Sequence, residues 1–313
     1  MTLAVDAHGL SKSYGALQAV DALELHVPAG IVLGFLGPNG AGKTTAIRML
    51  TTILSPTAGT FEIAGVPYTQ AIEIRSRIGV LPESAGYPER QTGEEFLSYH
   101  ARLFGHSRPS ARERAAALLD EVGLATRGRT LIGGYSRGMR QRLGIARALV
   151  NDPEVVFLDE PTLGLDPAGQ RQMLELVQRI TKERGATVLL STHLLAEVEE
   201  VCSQVVILNR GRVVAEGTVA EVARQAAAPR RARLRVAPER SAGALAALSD
   251  GGKLSAAELR PGELELTFSG EADPEAMSAE ALRRLLSADV PVLAFELEGG
   301  RLSDAFLAMT ETA

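Results

Sequence analysis

The chain has 313 residues, enough for one large or two modest domains with a sizeable core. Hydrophobic residues make up 45% and charged residues 23%, ordinary for a globular protein, while the formal charge of −5 and the absence of Trp give no support to a nucleic-acid-binding surface. No apolar run approaches the ~20 residues that span a bilayer, the start Met1-Thr2-Leu3-Ala4-Val5-Asp6 is unlike a signal peptide, and the single Cys202 excludes an intramolecular disulfide and fits a reducing cytoplasm.

Residues 3–8 and 22–27 have short, partly alternating apolar patterns that predict two strands flanking Ser11-Lys12-Ser13-Tyr14-Gly15. Tyr14 lies in a polar, turn-prone segment, where its ring either stacks on a base or simply packs. The apolar run Ile31–Leu36 then leads into Gly37-Pro38-Asn39-Gly40-Ala41-Gly42-Lys43-Thr44-Thr45, followed by the helical pattern Ala46–Leu50. A strand, a glycine-rich turn and Lys-Thr opening a helix are the context of a phosphate-binding loop. Glycines let backbone N–H groups converge on an anion, and the new helix aims its free N–H groups and positive dipole end at the same point. Lys43 can reach the β- and γ-phosphates, and the Thr44 hydroxyl is placed to ligate Mg²⁺.

Beyond the turn at 55–59, strands are expected at 60–63 and 78–82, the latter ended by Pro82 and followed by Glu83. Residues 92–104 and 110–122 show helical spacing and read as a helical insert within an α/β domain. Tyr135-Ser136-Arg137-Gly138-Met139 precedes a helix expected to begin near Arg140; Ser136 is an N-cap by type, and the helix start with Gly138 could bind an anion. Val155–Leu158 reads as a buried parallel strand, followed by a helix at 168–184, a strand at 187–191, a helix at 194–201 that carries Cys202 at its end, and a strand at 205–208. Asn209-Arg210-Gly211-Arg212 signals a hairpin turn into Val213–Ala215. Strands alternating with helices imply a parallel sheet covered on both faces.

The composition shifts around 222–233, which reads as a linker or domain boundary. Strand-like pieces at 231–236, 263–268 and 292–297 and helical stretches at 241–248, 274–287 and 302–310 predict a small α+β appendage. The arginines at 230, 231, 233 and 235 read as a solvated linker or as a basic cluster meeting anionic lipid or a partner.

Asp159 and Glu160 end the strand at 155–158, and ligands of open parallel sheets sit at the carboxyl ends of strands. Asp159 is therefore placed to hold Mg²⁺ and Glu160 to address an attacking water. His193 follows the next strand at the same edge.

Together these residues resemble the nucleotide-binding subunits of ABC transporters over roughly residues 3–220. Gly37 to Thr45 match the Walker A motif, with Lys43 and Thr44 at its end. Val155 to Glu160 match Walker B with its adjoining glutamate, Tyr135 to Met139 the signature loop, Leu163-Gly164-Leu165-Asp166 the D-loop, and His193 the switch histidine. Tyr14 falls where the family stacks an aromatic on adenine. Two departures stand out: the signature reads Tyr-Ser-Arg-Gly-Met, and Glu83 occupies the position where most members carry the Q-loop glutamine. These variants, the appendage and the tail Leu302–Thr310 are similar to the exporter branch that pairs with a separate ABC-2 type permease.

The resemblance implies a P-loop NTPase core with a parallel sheet, an antiparallel β subdomain and a helical insert, plus a small C-terminal α+β domain. Domain bounds are expected at 1–222, with the insert at about 84–150, and 223–313. ATP with Mg²⁺ would be bound by Tyr14, by Gly37 to Thr45 and by Asp166, with Ser136 and Gly138 acting in trans from a second subunit. Thr44, Glu83 and Asp159 would hold the metal, and Glu160 and His193 would catalyse hydrolysis. The implied partners are a second copy and an ABC-2 type permease, with no nucleic acid, and the implied place is the cytoplasmic face of the cell membrane. Two other classes compete. Soluble ABC-type ATPases acting on nucleic acid or ribosomes usually carry two nucleotide domains, a long coiled-coil insert or zinc-binding cysteines, unlike this chain. A degenerate regulatory subunit is disfavoured by the retention of Lys43, Glu160 and His193.

Overall fold

The computed structural model describes residues 2–84, 86–225, 230–248, 254–268, 274–298 and 302–311. Two compact units divide between Val219 and Ala220.

The first unit opens with β1 (Leu3–Tyr14) and β2 (Leu17–Pro28), a hairpin that turns at Gly15, so the segment around Ser11 is strand rather than connection. β3 (Val32–Leu36) leads through the glycine loop into α1 (Lys43–Leu50). Then follow β4 (Ala58–Ile63), β5 (Val66–Pro67), a short α2 (Ala71–Arg77) that periodicity did not indicate, and β6 (Ile78–Leu81). The helical insert contains α3 (Gly93–Leu103), α4 (Arg108–Glu121) and α5 (Arg137–Ala148). Thr92 and Glu95 form a capping box that starts α3, and Ser107 with Pro109 in the first turn starts α4. Ser136 caps α5 directly, so that helix begins three residues before Arg140. The α/β pattern resumes with β7 (Val155–Asp159), α6 (Pro167–Arg184), β8 (Thr187–Ser191), α7 (Leu195–Val201), β9 (Gln204–Asn209) and β10 (Arg212–Thr218).

A six-stranded sheet has the order β10-β9-β3-β8-β7-β6, parallel except for the edge pair β9–β10. That pair turns with Arg210 and Gly211 both left-handed (φ 48° and 83°), the conformation its Arg-Gly dipeptide predicts. The central strands β3, β7 and β8 are buried at every position because both faces are covered, and their polar residues stand only at strand ends. Val156, Leu158, Val188 and Leu190 pack into a core shared with α3 to α6. Val155, Phe157, Leu33, Phe35 and Leu189 point the other way, into a core shared with α1 and the antiparallel sheet β2-β1-β4-β5.

The second unit includes most of α8 (Val219–Gln225), then β11 (Arg230–Val236), α9 (Ser241–Leu248), β12 (Leu254–Arg260), β13 (Glu263–Phe268), α10 (Pro274–Ser287), β14 (Val292–Glu298) and α11 (Leu302–Glu311). The linker expected over 222–233 is thus corrected: helix runs to Gln225 and strand begins at Arg230, and 226–229 lie outside the described residues. β11 and β13 are central in a four-stranded antiparallel sheet, β12-β13-β11-β14. Ala232, Leu234 and Val236 face a core with Leu264, Leu266 and Phe268, while Arg231 and Arg233 face out. Glu265 lies 3.4 Å from Arg231 and Glu263 lies 3.6 Å from Arg233, so part of the arginine run is paired within its own sheet and is not a free basic patch.

Gly79 sets how closely α5 approaches the sheet. A Cβ there would lie 2.1 Å from the Ala148 carbonyl oxygen at the end of α5, and backbone cannot step aside cheaply. Gly79→Ala is expected to lower stability by about 1–3 kcal/mol, read as a lower urea midpoint at unchanged slope.

Candidate active site

Three adjacent strands bring the predicted residues to one edge. Phe35 on β3 and Asp159 on β7 both pair in register with Ser191 on β8, so the three strands end level. The glycine loop leaves β3 one residue later, Glu160 follows Asp159, and His193 follows Ser191 by two residues. The edge is the carboxyl edge, where such sheets bind ligands.

The loop itself is clamped by its neighbours. A Cβ on Gly37 would lie 2.4 Å from the Leu208 carbonyl oxygen, and one on Gly42 (φ 103°) would lie 2.4 Å from the Ala19 carbonyl oxygen. Gly211 N–H donates to the Ala41 carbonyl at 2.9 Å, fastening the β9–β10 turn to the loop. Pro38, Asn39 and Gly40 form the turn between these fixed points, with the Pro38 carbonyl accepting from Ala41 N–H at 3.1 Å. Lys43 is buried, and its ammonium donates to the carbonyls of Gly37 (2.6 Å) and Pro38 (3.3 Å), curling back over the loop. Burial pushes the Lys43 ammonium down from its ordinary value, opposed by the nearby carboxylates of Glu160, Asp159 and Glu83. Those acids therefore share the lysine's surroundings. Thr44 and Thr45, half-buried, follow in the first turn of α1.

Asp159 is only 4% exposed, and its Oδ1 accepts from the Ser191 hydroxyl at 2.5 Å. Glu160 occupies the left-handed region (φ 51°), a conformation that costs a non-glycine residue roughly 1–3 kcal/mol and tends to mark functional positions. Its N–H donates to the Ser191 carbonyl (3.1 Å) and hydroxyl (3.2 Å), which hold the turn. Its Oε2 lies 2.9 Å from His193 Nδ1. Burial pushes the Glu160 carboxyl up, while the His193 charge and hydrogen bond pull it down. Thr44, Asp159 and the exposed Glu83 offer only oxygen donors, which suits a hard divalent cation such as Mg²⁺.

Tyr14 ends β1 with its ring 47% exposed and Lys12 Nζ 5.5 Å from the ring centroid, so the ring is not consumed by core packing. Ser136 is exposed and accepts from Met139 N–H at 3.3 Å; Asp166 likewise caps α6, accepting from Gly169 N–H at 3.2 Å. Ser136, Gly138, Gly164 and Asp166 line one surface pocket of about 360 Å³, and no residue of the glycine loop lines it. The predicted residues thus form two groups within a chain. Tyr135, where the family usually has Leu, is buried and donates to the Arg127 carbonyl at 2.8 Å, anchoring the signature segment to the helical insert. Cys202 ends α7 against the core, and burial pushes its thiol up to about 12, leaving it unreactive.

Sequence reasoning missed two features. Arg137 lies across Gly164: a Cβ on that left-handed glycine (φ 71°) would come within 2.5 Å of the guanidinium carbon, so the signature and D-loop segments touch within one chain. The second is Glu197 in the first turn of α7. It is buried, and its Oε2 accepts from the Thr162 and Thr192 hydroxyls, both at 2.9 Å. Thr162 stands two residues after Glu160, and Thr192 one before His193. Glu197 thereby ties together the two segments that carry the Glu160–His193 pair. An acid four residues after His193 looks like a solvated helix position in sequence; only the fold buries it.

Two outcomes follow from this geometry. With Glu160 as the expected base, which must be ionised to act, kcat for ATP hydrolysis should fall as pH drops through a value raised above that of an ordinary glutamate. His193→Ala removes an attraction that lowers the Glu160 pKa, so the residual activity's acid limb should move to higher pH. Glu197→Ala should reduce kcat by about 10–100-fold, since small misplacements are costly, with little change in KM for ATP. Glu197→Gln, whose amide oxygen can still accept from both hydroxyls, should recover most of the rate.

The ABC transporter family model matches residues 20–163. The daunorubicin/doxorubicin resistance ATP-binding protein DrrA of Streptomyces peucetius is 40% identical over 319 residues, covering 99% of this chain and 93% of that protein. The bacitracin transport ATP-binding protein BcrA of Bacillus licheniformis is 41% identical over 217 residues, 69% of this chain and 70% of that one. Among solved structures, an ATP-binding subunit of an ABC transporter superposes with a TM-score of 0.64 at 35% identity, covering 72% of this chain and 93% of its own. The chain belongs to the ABC transporter family, as an ATP-binding and ATP-hydrolysing protein.

Proposed function

We propose that this chain energises export of a drug, antibiotic or lipid-like molecule through a separate ABC-2 type permease, hydrolysing ATP at a site shared by two copies of itself. The observation that carries the ATPase reading is the convergence of Lys43, Asp159, Glu160 and His193 at the ends of β3, β7 and β8. Support for export comes from the drug-resistance and bacitracin-transport relatives.

Lys43 and the N–H groups of the loop neutralise the phosphates, and the exposed ring of Tyr14 stacks on the base. Thr44 and Asp159, with Glu83 nearby, would hold Mg²⁺, which when bound would supply charge neutralisation at the phosphates. Glu160, ionised and steered by His193, orients the attacking water and takes its proton. Ser136 and Gly138 at the start of α5, with Asp166 beside them, face a second copy's nucleotide. The pocket they line lacks any residue of their own glycine loop, which favours this trans arrangement.

No helix among the described residues is long and apolar enough to cross a membrane. A peripheral position on the cytoplasmic face, reached through the permease, accords with that. Tyr99, Leu103 and Phe104, exposed at the end of α3, offer apolar surface on the helical insert for such a partner.

Glu160→Gln should retain ATP binding and lose about 10²–10⁴-fold in turnover, and wild-type turnover per chain should rise with protein concentration. Equal rates in wild type and variant would remove the catalytic assignment, and full activity from a strict monomer would remove the shared site. Co-purification with a six-span permease and no extracellular binding protein would support export.

A further inference from the structure

The outer face of the antiparallel sheet carries a group of side chains that nucleotide chemistry does not use. Asp6 and His8 on β1 and Glu24 and His26 on β2 alternate with buried Ala7 and Leu25, so all four stand on the exposed side. Asp6 pairs directly with His26, and on its other flank with Glu62 of β4; His8 pairs with Thr60. Directly paired residues share a face. Those six positions hold three carboxylates and two imidazoles and no lysine or arginine.

The ring nitrogens already converge on one carboxylate oxygen. His26 Nδ1 is 2.7 Å and His8 Nε2 3.1 Å from Asp6 Oδ1, and all three ligand atoms lie within 4.8 Å of one another. Tetrahedral zinc with bonds of about 2.0–2.1 Å sets its ligand atoms roughly 3.3 Å apart. The two nitrogens, at 2.7 and 3.1 Å from Asp6 Oδ1, must each draw back from that oxygen by about 0.2–0.6 Å, and the two nitrogens must settle at the same spacing, an adjustment made by exposed side chains on a paired hairpin. The hydrogen bond from His26, with His8 adding a like effect against burial, holds Asp6 below its ordinary value, so it is ionised and ready to ligate.

A supporting carboxylate stands behind the ligands. Glu24 Oε2 lies 3.4 Å from His8 Nδ1, and Glu24 Oε1 accepts from Gly9 N–H at 2.8 Å. Metal-bound histidines usually give their second nitrogen to an oriented carboxylate in this way. Two imidazoles and a carboxylate select a borderline ion of the zinc class over Mg²⁺ or Ca²⁺.

We propose that Asp6 Oδ1, His8 Nε2 and His26 Nδ1 form a zinc-class metal site on the β1–β2 hairpin, with Glu24 orienting His8 and water completing the coordination. The ion bridges the edge strand β2 to β1.

The test is calorimetric titration of the full-length, chelator-treated chain with Zn²⁺, without nucleotide. The expected result is one tight equivalent that is lost in His8→Gln and in His26→Gln, kept in His193→Gln, and weakened about 10–100-fold in Glu24→Gln. Zn²⁺ should raise Tm for wild type and not for His26→Gln. Co²⁺ should give the visible absorption of a four-coordinate ion in wild type alone. His8→Gln and His26→Gln, both on the exposed face of the hairpin, should keep wild-type folding and Mg²⁺-ATP turnover. A tight equivalent that persists in both histidine variants, or no tight equivalent in wild type, overturns the site.

Discussion

Burial of the central sheet on both faces is the constraint from which the rest of this molecule follows. Strands β3, β8 and β7 cannot slip by one residue without turning Phe157 or Leu158 into the wrong core. Register is therefore determined by packing, and register is what places Phe35, Ser191 and Asp159 level at one edge. Glu160 and His193 stand just beyond the last paired residues, on turns too short to wander. An apolar wall thus supplies the precision that a polar site needs.

At that edge a small number of polar contacts set the electrostatics. Ser191 serves twice, donating its hydroxyl to Asp159 and accepting the Glu160 N–H. The left-handed strain at Glu160 is offset by this grip and by the pairing with His193. Behind the pair, Glu197 joins the two turns through Thr162 and Thr192. The site is consequently one coupled unit, in which Lys43 is surrounded by carboxylates and Glu160 is half-sheltered from water. Coupling also extends outward: Tyr135 fixes the signature segment to the helical insert, and Arg137 lays it against the D-loop segment.

The phosphate loop, the Walker B acids and His193 were legible because each follows an apolar strand and belongs to a motif whose spacing is set by chemistry. Element types over most of the chain were legible for the same reason, since periods of two and of three to four survive in the buried positions. Other features were not. The helix α2 and strand β12 carry little periodicity, with only Ile74 buried in the first and one position fully buried in the second. The arginines of β11 read as a linker because arginine is common on solvated segments; their acids lie some thirty residues away, on β13.

What the amino-acid sequence showed by itself is the local pattern: a strand, a glycine turn and Lys-Thr opening a helix, adjoining acids at a strand end, and the likeness to a family with an ATPase activity. Local geometry suffices for these, because a helix start or a strand end forms from neighbouring residues. Only the tertiary structure decided which distant groups meet. Glu197 becomes a buried tie, Arg137 a cover for Gly164, and Asp6, His8 and His26 one cluster, because strand pairing and helix docking bring together residues that local periodicity cannot relate.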